Sequence, residues 1–98
     1  MTQARFVTLH SQPDQIEEVI TIFRDSILPI TKAQPGFQGA RLLTDRSSGK
    51  TVLVTLWQSE AEMLATEENG FLRQQLAKFT HLLTVPLQRE TFELAISI

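Results

Sequence analysis

Between Val52 and Trp57 the chain sets Val52, Leu53, Val54, Leu56 and Trp57 around a single threonine, Thr55. Side chains of an extended strand point alternately to opposite faces, so a run that is apolar on both parities needs cover on both sides. No other feature constrains the fold as strongly. The run belongs to a central strand, and what surrounds it must supply two layers.

Phe37 to Thr44 forms a second apolar run, and Asp45-Arg46-Ser47-Ser48-Gly49-Lys50 joins it to Thr51 through Gln58. With glycine available for a positive φ, the two runs predict a β-hairpin. Upstream, Arg5 to His10 is rich in β-branched and aromatic residues and predicts strand one, which Ser11-Gln12-Pro13-Asp14 stops. Serine three residues before aspartate, with proline in the first turn, predicts a helix start. Ile16, Val19, Ile20, Phe23, Ile27 and Ile30 then recur at helical spacing. Pro29 offers no N–H to the carbonyl of Asp25 and is expected to kink or end this helix; Gln34-Pro35-Gly36 closes it in any case.

Ser59 followed by Glu62 predicts a capping box and a second helix. Asn69-Gly70 interrupts that helix, which resumes through Leu72, Leu76 and Phe79 to about Leu82. Thr84 to Ser97 returns to strand character, with Pro86 near its start as on an edge strand. The order β-α-β-β-α-β predicts an α+β, ferredoxin-like arrangement, a four-stranded antiparallel sheet with both helices on one face, as one domain over residues 1–98. No third helix exists to cover the other face. A second copy of the sheet is the simplest cover, so a homodimer is expected, with Val52, Val54 or Leu53 at its interface.

Charge and composition narrow the function. A formal net charge of -2 leaves no positive excess to neutralise phosphates, which argues against nucleic acid as a partner. The chain has no cysteine, hence no disulfide, thiolate metal site or cysteine nucleophile. His10 and His81 stand far apart without metal-ligand spacing, so no metal is expected. Neither a basic leader nor an 18-residue apolar span is present, so the expected location is the cytoplasm, away from the membrane.

Pro35-Gly36-Phe37-Gln38-Gly39-Ala40-Arg41-Leu42-Leu43-Thr44-Asp45, then Gly49-Lys50, and finally Thr55-Leu56-Trp57-Gln58-Ser59-Glu60-Ala61-Glu62 resemble the antibiotic biosynthesis monooxygenase family. The order of elements matches over nearly the whole chain. These motifs are mostly structural, being helix stops, tight turns and a cap, so they speak to fold more firmly than to chemistry. The resemblance implies a dimeric α/β barrel with a pocket between sheet and helices in each protomer. Some members oxidise polyketide quinols with oxygen and no cofactor, others degrade haem, and others have no established activity. The haem-degrading branch carries asparagine, tryptophan and histidine where this chain aligns Arg5, Thr66 and Leu76, so haem is not expected.

Five residues stand out as site candidates. His81 is the histidine of the helical segments, and an imidazole titrating near neutrality suits a general base, while the competing reading is a solvated residue at a helix end. Arg5 could stabilise a phenolate-like anion or form an ion pair. Trp57, Phe71 and Phe79 could contact a flat aromatic ligand, with core packing the competing role for Trp57. Two functions follow. One is a cofactor-independent monooxygenase acting with O2 on a small, reduced, quinol-like aromatic; the other is a non-catalytic dimeric binding or stress-related module for an apolar metabolite.

Overall fold

A computed structural model describes residues 1–98. Four strands form one antiparallel sheet: β1 (Gln3–His10), β2 (Phe37–Asp45), β3 (Lys50–Trp57) and β4 (Gln88–Glu93), in the spatial order β2-β3-β1-β4. Helical segments fill the two crossovers: α1 (Ile16–Ile22) and α2 (Leu28–Thr31) in the first, α3 (Glu60–Glu68) and α4 (Phe71–Leu76) in the second. This is the ferredoxin-like α+β fold.

The apolar run lies on β3, in the interior of the sheet, with β1 and β2 on either side. Its odd-numbered residues Thr51, Leu53, Thr55 and Trp57 share the helix-side face with Arg5, Val7 and Leu9 of β1, and all seven are buried. Val7, Leu9 and Leu53 join Val19, Phe23, Ile27, Phe79 and Leu82 in the main core. Leu53 therefore packs against this chain's own helices, which leaves Val52 and Val54 of the three alternatives for an interface. Val52, Val54 and Leu56 occupy the opposite face beside Ala4, Phe6, Leu43 and Phe92. The helix-packed core lies on the other face; here Leu43 and Phe92 are 56% and 49% exposed, Phe6, Val52 and Leu56 are half-buried, and Ala4 and Val54 are buried. Phe6 and Phe92 meet edge to face there, with ring centroids 5.4 Å apart.

Three local expectations changed on contact with the rest of the molecule. Ser11 does not cap the first helix: its hydroxyl donates to Gln12 O, its N–H bonds to Gly49 O, and a 3-10 turn (Pro13–Gln15) begins from Gln12. The hairpin turn draws Ser11 away, since a Cβ on Gly49, at φ +82°, would stand 2.0 Å from Ser11 O. Pro29 does not end the helix. A π segment (Phe23–Ile27) precedes it, with Leu28 N–H bonding to Phe23 O, so one widened turn absorbs the missing donor and the helix continues to Thr31. β4 is shorter than Thr84 to Ser97 because its ladder can follow only β1, and its pairing runs from Thr8↔Gln88 to Gln3↔Glu93.

The second crossover follows the sequence closely. Gly70, at φ +83°, separates α3 from α4, and Asn69 Oδ1 accepts from Phe71 N–H. Ser59 caps α3: its Oγ accepts from Glu62 N–H at 3.2 Å and donates to Glu62 Oε1 at 2.9 Å. Ser59→Ala should therefore cost about 0.5 to 2 kcal/mol without changing oligomeric state. The measurement is a chemical denaturation midpoint, and a midpoint equal to wild type would show that the cap contributes nothing.

Candidate functional site

Two spaces open between the sheet and the second crossover. The inner one is an enclosed cavity of about 20 Å³, room for about one water. Arg5, Val7, Leu53 and Thr55 form its sheet side; Phe23, Ile27, Thr31, Phe71, Leu72, Gln75 and Leu76 close it from the helices. The outer one is a cleft of about 560 Å³ open to solvent, bounded by Glu67, Glu68, Gly70, Arg73, Ala77, Thr80, Leu87 and Arg89. Leu72 and Leu76 line both. One turn of α4, held between Gly70 and the 3-10 segment Ala77–Leu82, thus separates the inner cavity from the cleft.

Arg5 is the polar centre of the inner cavity. Strand alternation places it on the core side of β1, and it is 2% exposed. Its side-chain hydrogen bonds all leave from Nη1, to Met63 O at 3.3 Å, Thr66 Oγ1 at 3.0 Å and Glu67 Oε2 at 3.2 Å. Nε is buried with no acceptor. The guanidinium carbon sits 5.4 Å from the centroid of the Trp57 ring, within cation–π range. Burial pulls the guanidinium pKa below its ordinary value, and the hydrogen bond and charge of Glu67 oppose that pull. Glu67 also reaches Arg89 Nη1 at 3.5 Å, so its carboxylate joins the buried arginine to the edge strand.

The expected site residues divide sharply. Arg5 and Phe71 line the inner cavity together. Trp57 is fully buried and lines neither space; it packs edge to face on Phe37, and its indole N–H donates to Thr55 Oγ1 at 3.0 Å. Phe79 is likewise fully buried, a member of the main core rather than of a pocket wall. His81 lies on the outer surface with its side chain 59% exposed, its Nε2 3.1 Å from Glu18 Oε1. The 3-10 winding of Ala77–Leu82 turns Phe79 and Leu82 into the core and His81 out to solvent, which removes it from the position of a cavity base.

Three cavity residues escaped the sequence reading: Thr31, Thr55 and Gln75. A usable signal existed for two of them. Gln75 falls four residues after Phe71 and three after Leu72, a polar residue inside an apolar helical stripe, and Thr55 is the polar break in the run on β3. The three positions aligned with the haem-degrading branch also converge. Arg5 bonds to Thr66, and Leu76 lines the same cavity as Arg5.

Comparison with known proteins agrees with this architecture. The family model described as antibiotic biosynthesis monooxygenase matches residues 4–70. The uncharacterized protein Rv2557 of Mycobacterium tuberculosis is 32% identical over 65 residues, 66% of this chain and 29% of that protein. The chain thus spans less than a third of the length of the curated relatives it matches. Among solved structures, the NE2512 protein of unknown function from Nitrosomonas europaea superposes with a TM-score of 0.79 at 24% identity, covering 99% of this chain and 92% of that one. A monooxygenase from the gene ActVA-Orf6 of Streptomyces coelicolor, in complex with the ligand Nanaomycin D, gives 0.74 at 18% identity, covering 98% and 89%. At these identities the likeness is one of fold.

Proposed function

The chain belongs to the antibiotic biosynthesis monooxygenase family, and from that premise we propose that it is a homodimeric, cofactor-independent monooxygenase that oxidises a small quinol-like aromatic with O2 between sheet and helices. The observation that carries this reading is Arg5, a buried guanidinium lining the inner cavity with an unpartnered N–H. An ionised phenol is electron-rich enough to reduce oxygen directly. One electron passes to O2, the radical pair joins at a ring carbon that bears hydrogen, a proton from solvent completes the hydroperoxide, and loss of that C–H proton together with hydroxide, as water, leaves a carbonyl. Both reducing equivalents come from the substrate.

The protein's part is to desolvate the ring, orient it and favour its anion. Arg5 is the only ionisable residue lining the inner cavity, so the substrate enters ionised or loses its proton towards the cleft, with Arg5 supplying the compensating charge. A ring is far larger than the inner cavity. Leu72 and Leu76 must turn aside so that the ring spans cavity and cleft, against the apolar wall of Leu72, Leu76, Ala77 and Leu87.

Oxygen uptake with a panel of reduced naphthoquinones and anthrones, without added metal or flavin and corrected for autoxidation, tests the reading. Wild type and His81→Ala are expected to turn over at the same rate, because His81 is on the outer surface. Absence of oxygen-dependent turnover across the panel would leave the binding-module reading in its place.

A further inference from the structure

The polar groups of the inner cavity have a direction. Trp57 Nε1–H can only donate, and it occupies a lone pair of Thr55 Oγ1, so the Thr55 hydroxyl hydrogen is uncommitted. Lys78 Nζ, also a pure donor, lies 2.8 Å from Gln75 Oε1 and 3.1 Å from Ser26 O. An ammonium bonds only the amide oxygen, which fixes the flip of Gln75 and leaves its NH2 without an acceptor. Arg5 adds a third donor, because its bonds use Nη1 while Nε stays buried and unpaired. Arg5 and Thr55 are also directly paired across β1 and β3. Thr31 is the exception: its hydroxyl donates to Ile27 O at 2.7 Å, so towards a ligand it can only accept. No carboxylate or imidazole lines the cavity.

We infer that Arg5, Thr55 and Gln75 form a three-donor site for the singly ionised oxygen of an aromatic hydroxy compound, with Trp57 and Lys78 as positioning residues that aim the donors. Thr31 suits a remaining O–H of the same ligand, which favours a monoanion over a dianion. The inference rests on the proposed ligand-binding role of the cavity and not on turnover. A donor set of this kind binds the ionised form more tightly than the neutral form, so it must lower the pKa of a bound phenol. Neutral apolar ligands gain nothing from it. The buried Arg5 Nε, left without an acceptor, is instead a cost to binding them.

The probe is 5-hydroxy-1,4-naphthoquinone, an oxidised ring whose visible absorption reports ionisation; the chain has no cysteine for it to alkylate. Titrated on the intact protein under nitrogen, its pKa is expected to fall on binding by about 1 to 3. Thr55→Val and Gln75→Leu should each weaken binding of the anion by about 10- to 100-fold and diminish the pKa change. Trp57→Phe should add little to Thr55→Val, and Lys78→Met little to Gln75→Leu, because each acts through its partner. Failure of the probe to bind, a bound pKa at or above the free value, or anion binding unchanged in both Thr55→Val and Gln75→Leu overturns the inference. A lowered pKa in a protein that never consumes oxygen would discard the monooxygenase reading and keep this site; turnover with an unshifted pKa would do the reverse.

Discussion

Arg5→Met is expected to reduce oxygen-dependent turnover of the best quinol substrate by about 100- to 1,000-fold, the usual effect of removing a donor aimed at developing negative charge in a dry site. The substitution approximates the length of the side chain and takes away every donor. Glu67 does not become an isolated charge, because Arg89 remains 3.5 Å away and the Glu67 side chain is 19% exposed. Met63 O and Thr66 Oγ1 do lose a donor, so some stability is lost as well, and the comparison needs a second variant. Arg5→Lys keeps the charge but replaces the guanidinium fork by a point donor. It should retain more activity than Arg5→Met and less than wild type. Turnover of a folded Arg5→Met at the wild-type rate would remove the guanidinium from the chemistry, whatever the pocket binds.

Wild-type protein at micromolar concentration is expected to sediment at twice the 11.1 kDa chain mass. The argument is the uncovered face of the sheet. Phe6, Leu43, Val52, Leu56 and Phe92 make a partly exposed apolar surface on the face away from the helix-packed core, and a second sheet of the same kind can cover it. Val52→Asp is the sharpest perturbation, because Val52 faces outward between Thr8 and Leu43, with no cation directly across from it. In a two-fold interface the substitution appears twice. Each unpaired buried carboxylate costs about 3 to 5 kcal/mol, so the dimer should weaken by about 10,000-fold or more. Sedimentation equilibrium of both proteins is the measurement. A wild-type chain that stays monomeric with its sheet intact, or a Val52→Asp dimer as tight as wild type, would defeat the face-to-face assembly.

Local chemistry was legible wherever a short segment determines its own conformation. Gly49 and Gly70 take positive φ, where a side chain would be strained, and the Ser59–Glu62 cap needs only its own helical turn. The alternation of β1 and β3 sorts residues into two faces without reference to other elements, once one core residue is identified. Ser11 shows the boundary of such reasoning. Its local sequence suits a cap, yet a hydrogen bond to Gly49, thirty-eight positions away along the chain by numbering, decides its conformation. Pro29 is a milder case: of the two expectations, a kink or a stop, a π turn before it removes the stop.

Site residues were legible only in part. Arg5 stood out through the resemblance, since it aligns with the polar strand-one residue of the haem-degrading branch; its shared parity with Val7 and Leu9 is what buries it on the core side. His81 and Phe79 were assigned to a pocket on residue type, and type does not say which way a helical turn faces; two positions apart, they point to solvent and to core. Thr55 and Gln75 gain meaning only through Trp57 and Lys78, which commit their acceptors and leave their donors free.

By itself the sequence determined the element order, the hairpin, the helix break at Gly70 and the need to cover both faces of β3. Each of these follows from backbone sterics, side-chain periodicity or the burial of apolar surface along a short stretch of chain. Tertiary structure alone decided which parity of β3 meets the helices, and so that Leu53 joins the helix-side core while Val52 and Val54 face the other way, Val52 half-buried and Val54 buried. It alone set Leu72 and Leu76 between the cavity and the cleft. It also gave direction to the hydrogen bonds around Arg5, because direction depends on which donors arrive from other elements, and a sequence does not hold that information at any one position.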